Sequence, residues 1–97
     1  MADRPRLPED FVDVLTSFRR CSDVDLVLTD LLTPAEIESI TERWEIVKRL
    51  DSGESQRDVR DAVGVSVTTV SRGSRGLKYG VGGFRVALDR LAERTGS

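Results

Sequence analysis

The sequence predicts an all-α fold of about six short helices. Apolar residues recur at intervals of three and four along most of the 97 residues, and several segments begin with a helix-capping residue. The chain contains no period-two alternation between hairpin signals, no internal repeat and no low-complexity tract. We therefore expect one helical domain over residues 1–97.

The first two helices are predicted from apolar spacing. Four apolar residues fall at i, i+3, i+4 and i+7: Phe11, Val14, Leu15 and Phe18. This pattern predicts a helix over residues 8–21, with Arg19 and Arg20 in its last turn, where cations are favourable. A leucine-rich cluster at residues 26–32 predicts a second, short helix.

A capping box begins the third helix. Thr33 and Glu36 have the required spacing, and proline occupies the first helical position between them. Two apolar stripes follow, one through Ile37, Ile40, Trp44 and Val47, the other through Ile46 and Leu50. A helix with two stripes is buried on two sides. This helix, ending near residues 51–53, is therefore predicted to be central, with Trp44 in the core.

The last three helices are marked by caps and glycines. Ser55 is expected to cap residues 56–63, and Ser66 a helix that runs to about Leu77. The YGVGGF segment lacks the GxGxxG spacing of a phosphate loop and is interpreted as a helix cap and hinge. The final helix, residues 83–94, carries an apolar stripe of Phe84, Ala87, Leu88 and Leu91. Its end is expected to fray after Arg94.

Residues 55–77 have the spacing of a helix-turn-helix. Such a motif needs a buried residue on its first helix, a left-handed glycine at the turn and a buried β-branched residue on its second helix. Val59, Gly64 and Val70 fit these three roles. Arg60 stands where alanine is usual, which predicts looser packing between the two helices.

The charge distribution indicates a DNA-binding end. The formal net charge is only -2, but residues 1–53 hold 7 basic and 12 acidic groups. Residues 62–88 hold no acid and four basic residues, Arg72, Arg75, Lys78 and Arg85. A local basic surface is the electrostatic pattern of a protein that binds nucleic acid.

Composition argues against an enzyme. The chain has no histidine, and its one cysteine, Cys21, cannot form an intrachain disulfide or a CxxC pair. We expect a buried or half-buried thiol there. We also expect no signal peptide, membrane span, metal or cofactor, and a cytoplasmic protein.

Three segments together resemble the Trp repressor (trp operon repressor) superfamily over about residues 26–78. They are LLTPAEI, the pair Glu42-Arg43 and SQRDVRDAVGVSVTTVSRGSRGLK. The tail KYGVGGFRVAL resembles the YerC/YecD-type relatives. The resemblance implies an intertwined homodimer that binds a palindromic double-stranded operator when L-tryptophan is bound, with residues 8–53 mainly forming dimerisation helices.

The resemblance also implies site residues. Arg43 and Arg72 would sandwich the corepressor indole and hold its carboxylate, and Gly73 would give the ring room. Leu32 and Thr33 of the other subunit would close the pocket. The DNA contacts would be Gln56, Arg57, Arg60 and Lys78 on phosphates, and Val67, Thr68, Thr69 and Ser71 on base edges.

The residues support a ligand site independently. A guanidinium group can bind a carboxylate with two hydrogen bonds and stack on an aromatic ring. Gly73 and Gly76 lie three apart and would leave a slot on one side of a helix. The alternatives are close packing against the central helix for the glycines, and surface or phosphate-binding roles for Arg43 and Arg72.

Several departures from the family pattern keep other functions open. Gly76 replaces a serine that helps hold the ligand's amino group, Asp30 replaces an apolar pocket wall, and one residue is missing before Ser55. The first alternative is a DNA-binding regulator that uses another ligand or none. The second is a helical interaction protein without a nucleic-acid role.

Overall fold

The computed structural model describes residues 4–94, and this part of the chain contains six α-helices and no strand. They are α1 (Glu9–Ser17), α2 (Cys21–Leu31), α3 (Pro34–Asp51), α4 (Gln56–Val63), α5 (Val67–Tyr79) and α6 (Gly83–Arg94). The predicted all-α class is confirmed. The fraying expected after Arg94 concerns residues 95–97, which lie outside the described part. None of the described helices has the combined length and apolar content of a membrane span.

The helices form two compact units, with the boundary between Ile37 and Glu38 inside α3. The first unit contains α1, α2 and the start of α3. Neither α1 nor α2 has a buried residue. Leu26 and Leu31 of α2 are 63% and 59% exposed. Within this unit, these apolar side chains therefore remain exposed.

Both boundaries between α1 and α2 differ from the prediction. α1 ends at Ser17, whose hydroxyl donates to the carbonyl of Val14 at 2.6 Å. Hydroxyl groups bound to the last carbonyls compete with continuation of a helix. Arg19 and Arg20 consequently follow α1 instead of forming its last turn, and α2 begins at Cys21.

The expectation of a buried or half-buried thiol is wrong, because Cys21 is exposed. Cys21 is the first residue of α2, and no residue of that helix is buried. Its position at an open helix end therefore explains the exposure of the thiol.

The capping box at the start of α3 is confirmed. The N–H of Thr33 donates to Glu36 Oε1 at 2.8 Å, and the N–H of Glu36 donates to Thr33 Oγ1 at 3.1 Å. Each side chain satisfies one of the backbone donors that the first helical turn leaves unpaired.

Only part of the apolar surface of α3 is buried. Ile46 and Val47 are fully buried, whereas Ile40 is 46% exposed. Trp44 is half-buried, with the Lys48 ammonium 5.9 Å from its ring centre, so its predicted core position is wrong. Helix α5 packs beside Ile46, and two residues along a helix correspond to a rotation of about 200°. Trp44 therefore points away from α5.

The second unit is built around Ile46, Val59 and Val70, which are each 0% exposed. Leu50, Val63 and Val65 pack against this cluster. Arg60, which follows Val59, is half-buried, and Val59 and Val70 are fully buried on either side of the turn.

The predicted helix-turn-helix is confirmed. Gly64 ends α4 in the left-handed conformation, with φ 79° and ψ 34°. The hydroxyls of Ser55 and Ser66 each accept a hydrogen bond from a backbone N–H three residues later, both at 3.1 Å. These caps fix the starts of α4 and α5, and the buried valines hold the two helices together.

Helix α6 is bound to the end of α3 by a salt bridge. Arg85 donates two hydrogen bonds to the Asp51 carboxylate, at 2.9 and 3.3 Å, and one to Asp89 at 3.0 Å. The hydrogen bond from Arg85 holds the pKa of Asp51 below its ordinary value. Arg85 is therefore neutralised locally and does not add to the basic surface that the sequence predicts.

Candidate nucleic-acid interface and ligand cleft

One end of the helix-turn-helix presents an exposed polar and apolar surface at the start of α5. Val67 is 54% exposed, Thr68 is exposed and Ser71 is half-buried. The Ser71 hydroxyl donates to Gln56 Oε1 on α4 at 3.2 Å. Small side chains here allow a backbone to approach base edges closely. The structure thus places Gln56, which was predicted to contact a phosphate, beside Ser71, which was predicted to contact a base edge.

Besides Arg72, which is described below with the cleft, three basic residues of α4 and α5 have no acidic partner among the described residues. Arg57, Arg75 and Lys78 are exposed and take part in none of the ion pairs found there. Arg60 differs, since it is half-buried and lies 2.9 Å from Asp61. Unpaired guanidinium and ammonium groups can bind phosphates without first losing another partner.

Arg75, which the sequence places in the basic end of the chain without a specific contact, is a further candidate DNA contact. It lies seven residues after Thr68 and four after Ser71, a spacing that places the three on one side of α5. The helical spacing alone could have identified it, because both earlier residues were already assigned to the interface.

A cleft of about 450 Å³ lies within the second unit. Its lining residues come from α3, α5 and α6, and they are Ser39, Glu42, Arg43, Thr69, Arg72, Gly73 and Phe84. The structure therefore brings together three of the residues predicted to bind a ligand, namely Arg43, Arg72 and Gly73. Arg43 on α3 is far in sequence from the adjacent Arg72 and Gly73 on α5, and it meets them because α5 packs on α3.

Both arginines of the cleft are available for a ligand. Arg43 and Arg72 are exposed and take part in none of the ion pairs among the described residues. Each guanidinium can donate several hydrogen bonds in a planar fork. Two such groups from different helices can bind a carboxylate or stack on the two sides of a flat ring.

The other predicted ligand residues lie elsewhere. Gly76 does not line this cleft but an apolar cavity of about 460 Å³ with Gly80, Val81, Gly83 and Phe84. A Cβ atom on Gly76 would lie 3.1 Å from Phe84 Cε2. Leu32 is half-buried and Thr33 is exposed, and both belong to the first unit.

Thr69 and Phe84 line the cleft, although neither was predicted from the sequence to be near a ligand. Thr69, predicted to face base edges, is half-buried, and its hydroxyl lies 2.9 Å from that of Ser66. Phe84, predicted from the apolar stripe of the last helix, is half-buried and borders both cavities. Local periodicity could not identify either role, because each depends on how α6 and α3 meet α5.

Gly73 is required by close helix packing and also forms part of the cleft. A Cβ atom at this position would lie 2.7 Å from Ile46 Cγ2, a distance that nonbonded carbon atoms do not tolerate. The two interpretations of Gly73 are therefore compatible, since the absence of a side chain lets α5 approach α3 and shapes the cleft beside it.

Comparisons with known proteins match this chain to a single protein family. A family model described as "Trp repressor protein" matches residues 8–92. The Trp operon repressor homolog of Vibrio vulnificus (strain YJ016) is 40% identical over 72 residues, 73% of this chain and 71% of the relative. The uncharacterized protein YerC of Bacillus subtilis (strain 168) is 38% identical over 64 residues, 66% of this chain and 62% of YerC.

A solved structure has the same fold. The crystal structure of a TrpR-like protein from Eubacterium eligens ATCC 27750 has a TM-score of 0.74 and 31% sequence identity. The match covers 91% of this chain and 87% of that protein.

The substitution Gly73→Ala tests the packing of α5 on α3. Ile46 is fully buried and branched at Cβ, so its methyl group cannot turn away from an added carbon atom. We expect the free energy of unfolding in urea to fall by about 1–3 kcal/mol, despite the higher helix propensity of alanine.

Gly83→Ala is the matched control, because a Cβ atom there meets nothing within 4 Å. It should leave stability unchanged or raise it slightly. Ile46→Leu removes the branched methyl at similar volume, so the loss caused by Gly73→Ala should shrink in that background. A Gly73→Ala protein as stable as the unmodified chain would contradict the assigned contact.

Proposed function

The chain belongs to the Trp repressor family, and we propose that it is a sequence-specific transcriptional repressor controlled by an aromatic amino acid such as L-tryptophan. The family is one of DNA-binding transcriptional regulators. The observation that carries the proposal is the position of Arg72, which lies on the second helix of the helix-turn-helix and also lines the cleft with Arg43. One helix thus takes part in both candidate sites.

On the DNA side, the proposal assigns α5 to the major groove. Val67, Thr68 and Ser71 near its N-terminus contact base edges, where methyl groups can touch thymine and hydroxyls can exchange hydrogen bonds. Arg57, Arg75 and Lys78 bind phosphates and fix the position of the helix. Their lack of acidic partners among the described residues supports this assignment.

On the ligand side, the proposal assigns the cleft to one small molecule. Its volume of about 450 Å³ lies in the range typical of sites for small ligands, about 300–1,000 Å³. Arg43 and Arg72 hold the carboxylate and stack on the ring, and Phe84 supplies an aromatic wall.

Ligand binding would be coupled to DNA binding through the stability of α5. Each of the two interior glycines, Gly73 and Gly76, weakens a helix by about 1 kcal/mol relative to alanine. A ligand that bridges Arg43 on α3 and Arg72 on α5 would order the helix that enters the groove. DNA binding to the ordered helix then loses less conformational entropy.

The proposed repressor is a homodimer. Neither α1 nor α2 buries a residue, and two apolar residues of each helix are more than 40% exposed, Val12 and Val14 of α1 and Leu26 and Leu31 of α2. A second copy of the chain would cover this apolar surface and complete a core that one chain of this size cannot fill. In such a dimer the two α5 helices enter successive major grooves about 34 Å apart.

A second candidate function is a family regulator that binds DNA without tryptophan. Gly76 offers no hydroxyl to an amino group and lies outside the residues that line the cleft. The similarity to YerC, a relative described as uncharacterized, is almost as high as that to the Vibrio vulnificus homolog. In this case the same DNA-binding surface operates with another ligand or with none.

Light scattering tests the dimer. At micromolar concentration the chain should have about twice its mass of 10.8 kDa. Leu26→Glu should shift it towards the monomer because a charge would be buried at the interface, whereas Leu26→Met should remain dimeric. A monomer mass for the unmodified chain would contradict the proposal.

Salt dependence tests DNA binding. We expect the affinity for a duplex from the region upstream of the gene to fall steeply as salt rises, because phosphate contacts release counterions. Lys78→Ala should weaken binding evenly across sequences and lower the logarithmic salt slope by about 1.

Arg90→Ala is the control, since Arg90 on α6 pairs with Glu93 at 3.4 Å. It should leave the salt slope unchanged. Absence of salt-dependent binding to any duplex would favour a helical interaction protein instead.

Tryptophan titration in a gel-shift assay separates the two candidate functions. L-Tryptophan should raise DNA affinity, and Arg72→Ala should abolish this effect and calorimetric tryptophan binding. Arg75→Ala is the control for the ligand site, because Arg75 lies on the same helix but does not line the cleft. It should weaken DNA binding through the loss of a phosphate contact, yet leave calorimetric tryptophan affinity and the increase in DNA affinity caused by tryptophan unchanged. Unchanged tryptophan affinity in Arg72→Ala would overturn the ligand site, and an unchanged gel shift with tryptophan would favour the second function.

A further inference from the structure

A single carboxylate, that of Glu42, lies among the residues that line the ligand cleft. We propose that Glu42 binds the ammonium group of a free α-amino acid while Arg43 and Arg72 bind its carboxylate. This inference rests on the proposed function, because it specifies what the proposed ligand must carry.

Three carboxylates that follow Glu42 in the chain have basic partners, whereas no ion pair of Glu42 is found among the described residues. Glu38, one turn earlier on α3, is unpaired as well, but it is exposed and does not line the cleft. Glu45 lies 3.0 Å from Lys48, Glu54 lies 3.2 Å from Arg49, and Asp51 lies 2.9 Å from Arg85. Glu42 takes part in none of the ion pairs or hydrogen bonds given for the described residues, although it is half-buried and two guanidinium groups border the same cleft. The cleft therefore contains unpaired charges of both signs.

Helix geometry explains why one wall of the cleft carries charges of both signs. Ser39, Glu42 and Arg43 occupy positions i, i+3 and i+4 of α3, so they lie on one face of that helix. Arg72 faces them from α5, together with the half-buried Thr69. A ligand between the two helices would meet an anion and a cation on α3 and a second cation on α5.

The charge pattern selects a chemical class. A phosphate would be attracted by the two arginines but repelled by Glu42, whose charge in a partly enclosed cleft is weakly screened. A zwitterion satisfies all three groups, since its carboxylate can accept from the guanidinium forks and its ammonium can donate to Glu42. The class indicated is therefore a free α-amino acid, with its side chain towards Phe84.

Two ligands that differ only in the ammonium group test the assignment. L-Tryptophan carries the ammonium, and indole-3-propionate has the same ring and carboxylate without it. In calorimetry, the unmodified protein should bind tryptophan at least about tenfold more tightly than the propionate, as expected for one charge-assisted hydrogen bond. This comparison needs no variant and so does not depend on the folding of one.

Glu42→Gln should weaken tryptophan binding by about tenfold or more and leave the affinity for indole-3-propionate unchanged or higher. Glu38→Gln is the matched control, because Glu38 is an exposed carboxylate one turn earlier on α3 that does not line the cleft. It should leave both affinities unchanged, and far-ultraviolet circular dichroism checks that both variants remain folded.

Each other outcome is decisive. Ammonium recognition by Glu42 is wrong if the unmodified protein binds both ligands equally, if Glu42→Gln leaves tryptophan affinity unchanged, or if it weakens both ligands to the same extent. In these cases the proposed control by tryptophan is unaffected. If the unmodified protein binds neither ligand, the inference and the tryptophan part of the proposed function are both wrong.

Discussion

The contact between Gly73 of α5 and Ile46 of α3 is the constraint on which the second unit depends. With no side chain on Gly73, α5 lies so close to α3 that an added Cβ atom would be 2.7 Å from the isoleucine methyl. Ile46 in turn packs with Val59 and Val70, the two residues that hold α4 against α5. One small core therefore sets the angle of the helix-turn-helix and brings Arg43 to the same cleft as Arg72.

Ion pairing then determines which charges remain for recognition. Four of the nine arginines in the described part of the second unit are bound to carboxylates, namely Arg49, Arg60, Arg85 and Arg90. Among the unpaired arginines, Arg57 and Arg75 belong to the proposed DNA-binding surface, and Arg43 and Arg72 line the cleft. The net charge of -2 hides this division, because it counts paired and unpaired groups alike. A phosphate or a zwitterion binds to side chains whose charge is not already paired, so the unpaired groups matter more for recognition than the net charge.

Local features of the fold could be predicted, and features that depend on distant contacts could not. Hydroxyl caps such as Ser55 and Ser66, and the left-handed Gly64, act within four residues, so their spacing identified α4 and α5 correctly. The prediction that Trp44 lies in the core was wrong, because its exposure depends on which face of α3 packs against α5. The same reason applies to the candidate site. Arg43, Arg72 and Gly73 were predicted together from family resemblance and residue chemistry, and they line one cleft. The position of Phe84 in the cleft and the ion pair between Arg85 and Asp51 depend on contacts between separate helices, which local sequence does not reveal.

The glycines that allow close packing also weaken α5, and a ligand in the cleft would offset this weakness. Amide hydrogen exchange along α5, with and without saturating L-tryptophan, measures that coupling most directly. Slower exchange over Val67–Tyr79 in the presence of the ligand is the predicted result, because bridging Arg43 and Arg72 restrains the helix. Tryptophan bound in the cleft with unchanged exchange in α5 would contradict it.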